Sequence, residues 1–212
     1  MWWTELGVDP FTLPPARLDA LCLETLPSAR VEVAANATLD QRAGSILIGA
    51  GTRICPGAYL QGPLVIGSEC MVGNGAMVRG GTYIGNRVHL GFCTEVKGAT
   101  IEDDVRIGPL CFVADSRVGP AAYLGAQVRT SNHRLDGANV CVKIGTTLVD
   151  TGREKLGCLI GARCALGVQV IVLPGRSIEA DTVVGPRVTV ERNFVRGRYR
   201  LKQDLHYMKD FE

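Results

Sequence analysis

Two hundred and twelve residues hold one domain, or one domain with appendages, and a net charge of +2 with 21% charged residues excludes a polyelectrolyte built to bind polyanions. Glycine takes 26 positions while aromatics reach only 6%, so the 46% of hydrophobic residues must fill a core with aliphatic rather than ring side chains. No apolar run approaches the roughly 18 residues of a membrane span, and no basic segment followed by an apolar stretch opens the chain, so it reads as soluble and cytoplasmic, with no membrane partner.

In chain order, residues 1–29 come first, with Pro14 and Pro15 ahead of Ala16 to Leu26; they read as a loop and a short helix opening at a proline. A repeat of six follows. Ile48, Ile54, Leu60, Ile66, Val72, Val78, Ile84, Leu90 and Val96 are in phase, with glycine next at 49, 67, 73, 85 and 91. One residue is dropped and the phase resumes at Ile101, Ile107 and Val113; another is dropped before Val118 and Leu124. It returns as Ile160, Leu166, Val172, Ile178, Val184 and Val190.

Neither a helix nor a simple alternating strand has this period, whereas a short strand plus a turn does. Three such units close a triangular coil, with the aliphatic residue inward and the next residue, often glycine, at a crowded corner. The position two before each aliphatic also points inward and is small almost throughout, as at Thr52, Ala58, Cys70, Thr94, Cys111, Ser116, Cys158 and Cys164. Four of the eight cysteines therefore read as small hydrophobes of the interior and the others as reduced thiols. Without a Cys-x-x-Cys, and with His89, His133 and His206 far apart, no metal is expected. Residues 1–29 would cap the open end of the prism, whose strand edges are otherwise unpaired.

The clear break is Ser131 to Gly157. Val142 and Leu148 stay in phase, so two readings stand: a single excursion, or one more coil flanked by two excursions. Residues 196–212 read as a basic tail.

The repeat resembles the hexapeptide-repeat, left-handed parallel β-helix family over about residues 30–195. The left hand, a homotrimer and active sites between adjacent prisms are what the resemblance implies. The fold expected is all-β, with short helical or irregular appendages at both ends. The stretch Asp150-Thr-Gly-Arg-Glu-Lys-Leu-Gly with Val-Ile-Val-Leu-Pro-Gly at 170–175 is similar to the acetyltransferase half of bifunctional sugar-1-phosphate nucleotidylyltransferase/acetyltransferases. Asn132-His133-Arg134-Leu135-Asp136-Gly137 resembles the His-bearing loop of xenobiotic and sugar O-acetyltransferases. Both imply acyl transfer from acetyl-CoA to a sugar phosphate or nucleotide sugar. The Gly-rich run Gly49-Ala-Gly-Thr-Arg53 only imitates a nucleotidylyltransferase phosphate loop, because Ile48 and Ile54 flank it in hexad phase.

The bifunctional enzymes carry a catalytic histidine where this chain has Pro109, and a tyrosine where it has Phe112; neither replacement can carry a proton. His133 is the substitute base, with an imidazole suited to neutral pH, and Asn132 an oxyanion donor; alternatively both merely shape a turn. Arg79 and Lys97 match family positions that contact substrate phosphate, and Lys143, Arg153 and Lys155 suit the rim of the same cleft, unless all five are solvated surface charge. Arg196 and Arg198 read as contacts to coenzyme A phosphates or as a trimer clamp; with so small a net charge and no RNA-binding motif, nucleic acid is not expected. Pro109 and Phe112 also motivate a second hypothesis, a non-catalytic homologue that binds a nucleotide sugar or assembles partners.

Overall fold

A computed structural model describes residues 30–202 of the protein; the expected N-terminal cap and the end of the basic tail lie outside the described residues. Each hexad folds as one short strand and one turn, and consecutive strands pass to three different parallel sheets in rotation. The first face holds nine strands, from Glu32–Val33 to Arg198–Tyr199. The second holds eight, from Thr38–Asp40 to Thr189–Val190, and the third seven, from Ile46–Ile48 to Ser177–Ile178. The result is a left-handed parallel β-helix, with no helix among the described residues. The solenoid continues past residue 195, because Arg198–Tyr199 pairs with Val183–Val184 on the first face. Phe194 stacks on Tyr199 with ring centroids 3.8 Å apart, and together they cover the last coil of the core.

Apart from Ile48 in the first coil, every aliphatic residue of the hexad phase is buried, and so is every residue of the small inward row. That small row is more than filler. Thr52 Oγ1 donates to the Gly67 carbonyl at 2.7 Å and accepts the Cys70 N–H at 3.0 Å. Thr94 does the same for Gly108 and Cys111, at 2.7 and 3.2 Å, and Ser116 Oγ donates to Ala114 and accepts from Cys158 N–H. The thiols of Cys70, Cys111 and Cys164 donate to corner carbonyls in the same way, at 3.0, 3.1 and 3.0 Å. These cysteines therefore replace threonine and serine as donors, not only as small hydrophobes. All the described cysteines are free thiols.

Two different positions in the hexad make demands on the backbone. At Gly67 the residue after the aliphatic approaches the next coil so closely that a Cβ there would lie 2.6 Å from the Gly85 carbonyl carbon, whereas on the second face the same position accepts Arg79 and Lys97. The residue three before the aliphatic has a left-handed φ, yet it is Arg87, Leu110 or Arg163 as readily as glycine. The crowding, not the handedness of the turn, selects glycine here.

The dropped residues leave the ladder intact. Pairs eighteen apart, such as Ile66 with Ile84, give way to pairs seventeen apart, such as Val96 with Val113 and Ile101 with Val118. Both deletions fall in the turn from the second face to the third, after Lys97 and after Ala114.

Burial pushes the Cys158 thiol up to about 12, with a smaller opposing effect from the Ser116 hydroxyl, and burial also raises Cys70, Cys111 and Cys164. In the unfolded chain these thiols ionise near 8.5, so their contribution to stability is intact below that pH and is lost as pH rises toward the folded values. The urea midpoint should fall between pH 8 and pH 10, and Cys158→Ser should reduce that fall while leaving the fold parallel-β by circular dichroism; equal pH slopes for the two proteins would contradict this account of the interior.

Candidate active site

The turn from the second face to the third is where the repeat is most disturbed. Arg79 and Lys97 occupy successive rungs at its edge, with Ala114 next in register and Asp115 just beyond it. The shortened turn after Lys97 is made by Gly98, with φ of 55°, where a Cβ would lie 2.5 Å from Asp115 Oδ1. Only glycine lets the Asp115 carboxylate lie there.

Asp115 itself has φ of 47°. Its N–H donates to the Lys97 carbonyl at 2.8 Å, and its own carbonyl accepts the Gly157 N–H at 2.8 Å. Its Oδ2 accepts a hydrogen bond from Asn132 Nδ2 at 2.5 Å and lies 3.5 Å from Lys97 Nζ. The Lys97 and Asp115 side chains are only 24% and 22% exposed, so this pair feels less solvent screening than the outer Arg79–Glu95 pair at 3.1 Å. Each expected phosphate anchor thus already faces a carboxylate.

The excursion 131–157 leaves and returns at this same corner. It does not contain another coil: Cys141–Ile144 and Thr147–Asp150 form an antiparallel hairpin in which Val142 pairs with Val149 and Lys143 with Leu148. The six-residue spacing of Val142 and Leu148 spans the hairpin turn, where the two fall on opposite arms in different cross-strand pairs and form no hexad, and Gly145, with φ of 60°, serves that turn. At the root, Leu156 N–H donates to the Asn132 carbonyl at 2.9 Å and His133 bridges Lys155. Val140 and Leu156 are buried there, and the Gly157 carbonyl accepts from Gly175 N–H at 2.6 Å on the following coil. The second strand of the arm is exposed, with Leu148 65% accessible, the first is largely half-buried, and Leu135 in the loop is fully accessible.

The structure therefore gathers Arg79, Lys97 and Asn132 at one corner and places His133 and Lys155 at the arm root beside it. His133 is exposed, and its ring makes no hydrogen bond or ion pair with a described residue. One Asn132 amide hydrogen is committed to Asp115, which leaves its second amide hydrogen for a ligand oxygen. Lys143 lies on the hairpin, and Arg153 on the irregular segment that returns from it, both exposed. In the loop, the Arg134 guanidinium holds the Asp136 carboxyl well below the usual carboxylate range, and Asp136 also accepts from Ala138 N–H. Pro109 is exposed at the turn from the first face to the second, and Phe112 lies on the second face between Glu95 and Arg129. His89 lies on the first face, between Met71 and Arg106.

On the third face, just beyond Ser116, begins a largely apolar groove of about 520 Å³. Pro120, Leu159, Ala162 and Ala180 line it, and Arg117 crosses it to Glu102 at 2.6 Å. Glu179 stands at its end, where the carboxylate accepts the Arg196 N–H at 3.0 Å. Arg196 thus adjoins the groove, whereas Arg198 belongs to a strand of the first face.

Asp115 was not singled out from the sequence, because an acidic residue in a turn reads as solvated. A signal was available: two deletions and the one long insertion occur on successive coils at a single corner.

Residues 45–80 and 63–98 match the family model described as bacterial transferase hexapeptide (six repeats). The chain is 51% identical over 204 residues to the uncharacterized acetyltransferase YaiX of Escherichia coli O6:K15:H31 (strain 536 / UPEC), a match covering 96% of this chain and 88% of the relative. It is 32% identical over 105 residues to a bifunctional sugar-1-phosphate nucleotidylyltransferase/acetyltransferase of Sulfurisphaera tokodaii, covering 50% of this chain but 26% of that protein. Among solved structures, the Arabidopsis UDP-N-acetylglucosamine acyltransferase aligns over 79% of this chain and 61% of its own, with 16% identity and a TM-score of 0.48.

A Cβ on Gly157 would overlap Ser116 Oγ and the Ala114 carbonyl, so Gly157→Ala must displace the returning end of the arm. The substitution should lower unfolding free energy by about 1–3 kcal/mol, read from urea titration; an unchanged midpoint would show that the corner is looser than described.

Proposed function

Because this chain belongs to the hexapeptide-repeat transferase family, we propose that it transfers an acetyl group from acetyl-CoA to a sugar phosphate or nucleotide sugar, as a homotrimer. The observation that carries this reading is a hydrogen-bonding corner built from Lys97, Asp115 and Asn132 followed, two residues beyond Asp115, by Arg117 in the lining of an apolar groove on the third face. An acyl-CoA has the matching form: a long arm with a reactive thioester at one end and phosphates at the other. The arm follows Leu159, Ala162 and Ala180, and Arg196 adjoins the phosphate end. Arg79 and Lys97, with Lys143, Arg153 and Lys155 from the arm, contact the anionic part of the acceptor.

His133 takes a proton from the acceptor hydroxyl, or from an amine whose ammonium proton has already passed to solvent, as the oxygen or nitrogen bonds to the thioester carbonyl carbon. The free Asn132 amide hydrogen meets the oxyanion that develops on that carbon. Collapse breaks the carbon–sulfur bond, and the departing thiolate takes the proton from the imidazolium, which restores His133 and releases CoA. The relatives named acetyltransferase support the reaction class. Pro109 and Phe112 favour the competing reading, a non-catalytic nucleotide-sugar binder, and the assay separates the two.

Acetyl-CoA turnover over a panel of sugar phosphates and nucleotide sugars should release CoA with at least one acceptor, and His133→Ala should lower kcat by about 10²–10⁴-fold. Wild-type protein that neither releases CoA with any acceptor nor binds acetyl-CoA in calorimetry would end the enzyme reading; full activity of His133→Ala would end the assignment of the base.

A further inference from the structure

We propose that Asp115 is a positioning residue, which ties both ends of the excursion 131–157 to the prism and thereby sets where the arm presents His133 to the acceptor. The proposal rests on the acyl-transfer reading above and adds to it a residue that touches neither substrate. Four contacts converge on this one residue. Its carboxylate accepts from Asn132 at the departing end of the excursion, and its backbone carbonyl accepts from Gly157 at the returning end. Its N–H is held by the Lys97 carbonyl of the preceding coil, and Lys97 Nζ approaches the same carboxylate oxygen that Asn132 uses.

The surroundings are shaped for it. Gly98 leaves the space that the carboxylate occupies, and the missing residue on each of two successive coils brings Lys97 and Asp115 within reach of one another. The backbone at Asp115 is left-handed, a conformation that aspartate and asparagine adopt more readily than other non-glycine residues. The contrast with Asp104 and Asp181 is informative. Both also sit in left-handed turns, but each spends its carboxylate on an exposed arginine of a neighbouring coil and holds no inserted segment.

An arm root held by hydrogen bonds rather than by a large core opens when one anchor is removed. His133 is separated from Asn132 by a single peptide bond, so release of the Asn132 amide moves the imidazole directly. A displacement of about 1 Å at a catalytic group costs on the order of 10²-fold in rate.

The test compares wild type, Asp115→Ala and Asp115→Asn by limited trypsin digestion and by steady-state kinetics. In Asp115→Ala, cleavage within the arm, at Arg134, Lys143, Arg153 or Lys155, should accelerate by about tenfold while cleavage in the coils stays slow. In the same variant kcat should fall by about 10²-fold, with KM for acetyl-CoA unchanged, because the groove is intact. Asp115→Asn suits the left-handed backbone and keeps an oxygen for the Asn132 amide, so it should restore arm protection and most of kcat. Wild-type arm protection together with wild-type kcat in Asp115→Ala would overturn the proposal, as would loss of kcat in both variants with the arm still protected. Wild-type protein that is inactive with every acceptor would instead overturn the acyl-transfer reading, while the digestion still reports whether Asp115 anchors the arm.

Discussion

Everything in this molecule depends on closing the corners of a narrow three-sided prism without leaving a corner carbonyl or N–H unpaired inside it. Strand-to-strand hydrogen bonds satisfy the flat faces, but the chain turns sharply three times per coil, and each turn interrupts the ladder. The inward position beside a corner carries a hydroxyl or thiol on some coils and an apolar side chain such as Ala76 or Val105 on others. Where threonine, serine or cysteine stands there it also bonds to the corner groups, and no buried side-chain nitrogen or oxygen among the described residues lacks a partner. The aliphatic row supplies the burial; the polar small row makes the corners affordable in a low-dielectric core.

A scaffold closed in this way is tolerant in its turns and intolerant in its strands. Removing one residue from a turn leaves the next strand in register, whereas a one-residue slip within a strand would turn its aliphatic residue outward. Variation is therefore confined to corners. At the second-to-third corner it has accumulated on three successive coils: a deletion beside Lys97, a deletion beside Asp115, then the excursion that carries Asn132 and His133. The shortened turns draw a lysine and an aspartate together, and the insertion supplies polar groups over them.

How much of this could be read from the sequence follows from which signals are periodic. The inward rows, the sheets and the burial of Cys70, Cys111, Cys158 and Cys164 follow from the period of six alone. The donor role of those thiols does not, since a pattern of small residues cannot show that a sulfur faces the Gly85 or Gly125 carbonyl. Glycine after Ile48, Ile66, Val72, Ile84 and Leu90 was legible as crowding, while the left-handed turn position was hidden because Arg87, Leu110 and Arg163 disguise it. Val142 and Leu148 keep the phase by accident, since their spacing of six runs across a hairpin turn and puts them in different cross-strand pairs. Asp115 was invisible because its partners, Lys97, Asn132 and Gly157, come from three segments that only the coil geometry brings together.

The central claim, that the third face is a single site with a polar reacting corner and an apolar approach to it, is tested most directly by a crystal structure of the protein with coenzyme A bound. The account predicts the thiol end beside Asn132 and Asp115, the arm along Leu159, Ala162 and Ala180, and the phosphates toward Arg196. Coenzyme A seated instead on the first face, along His89, Arg106 and Tyr123, would contradict it.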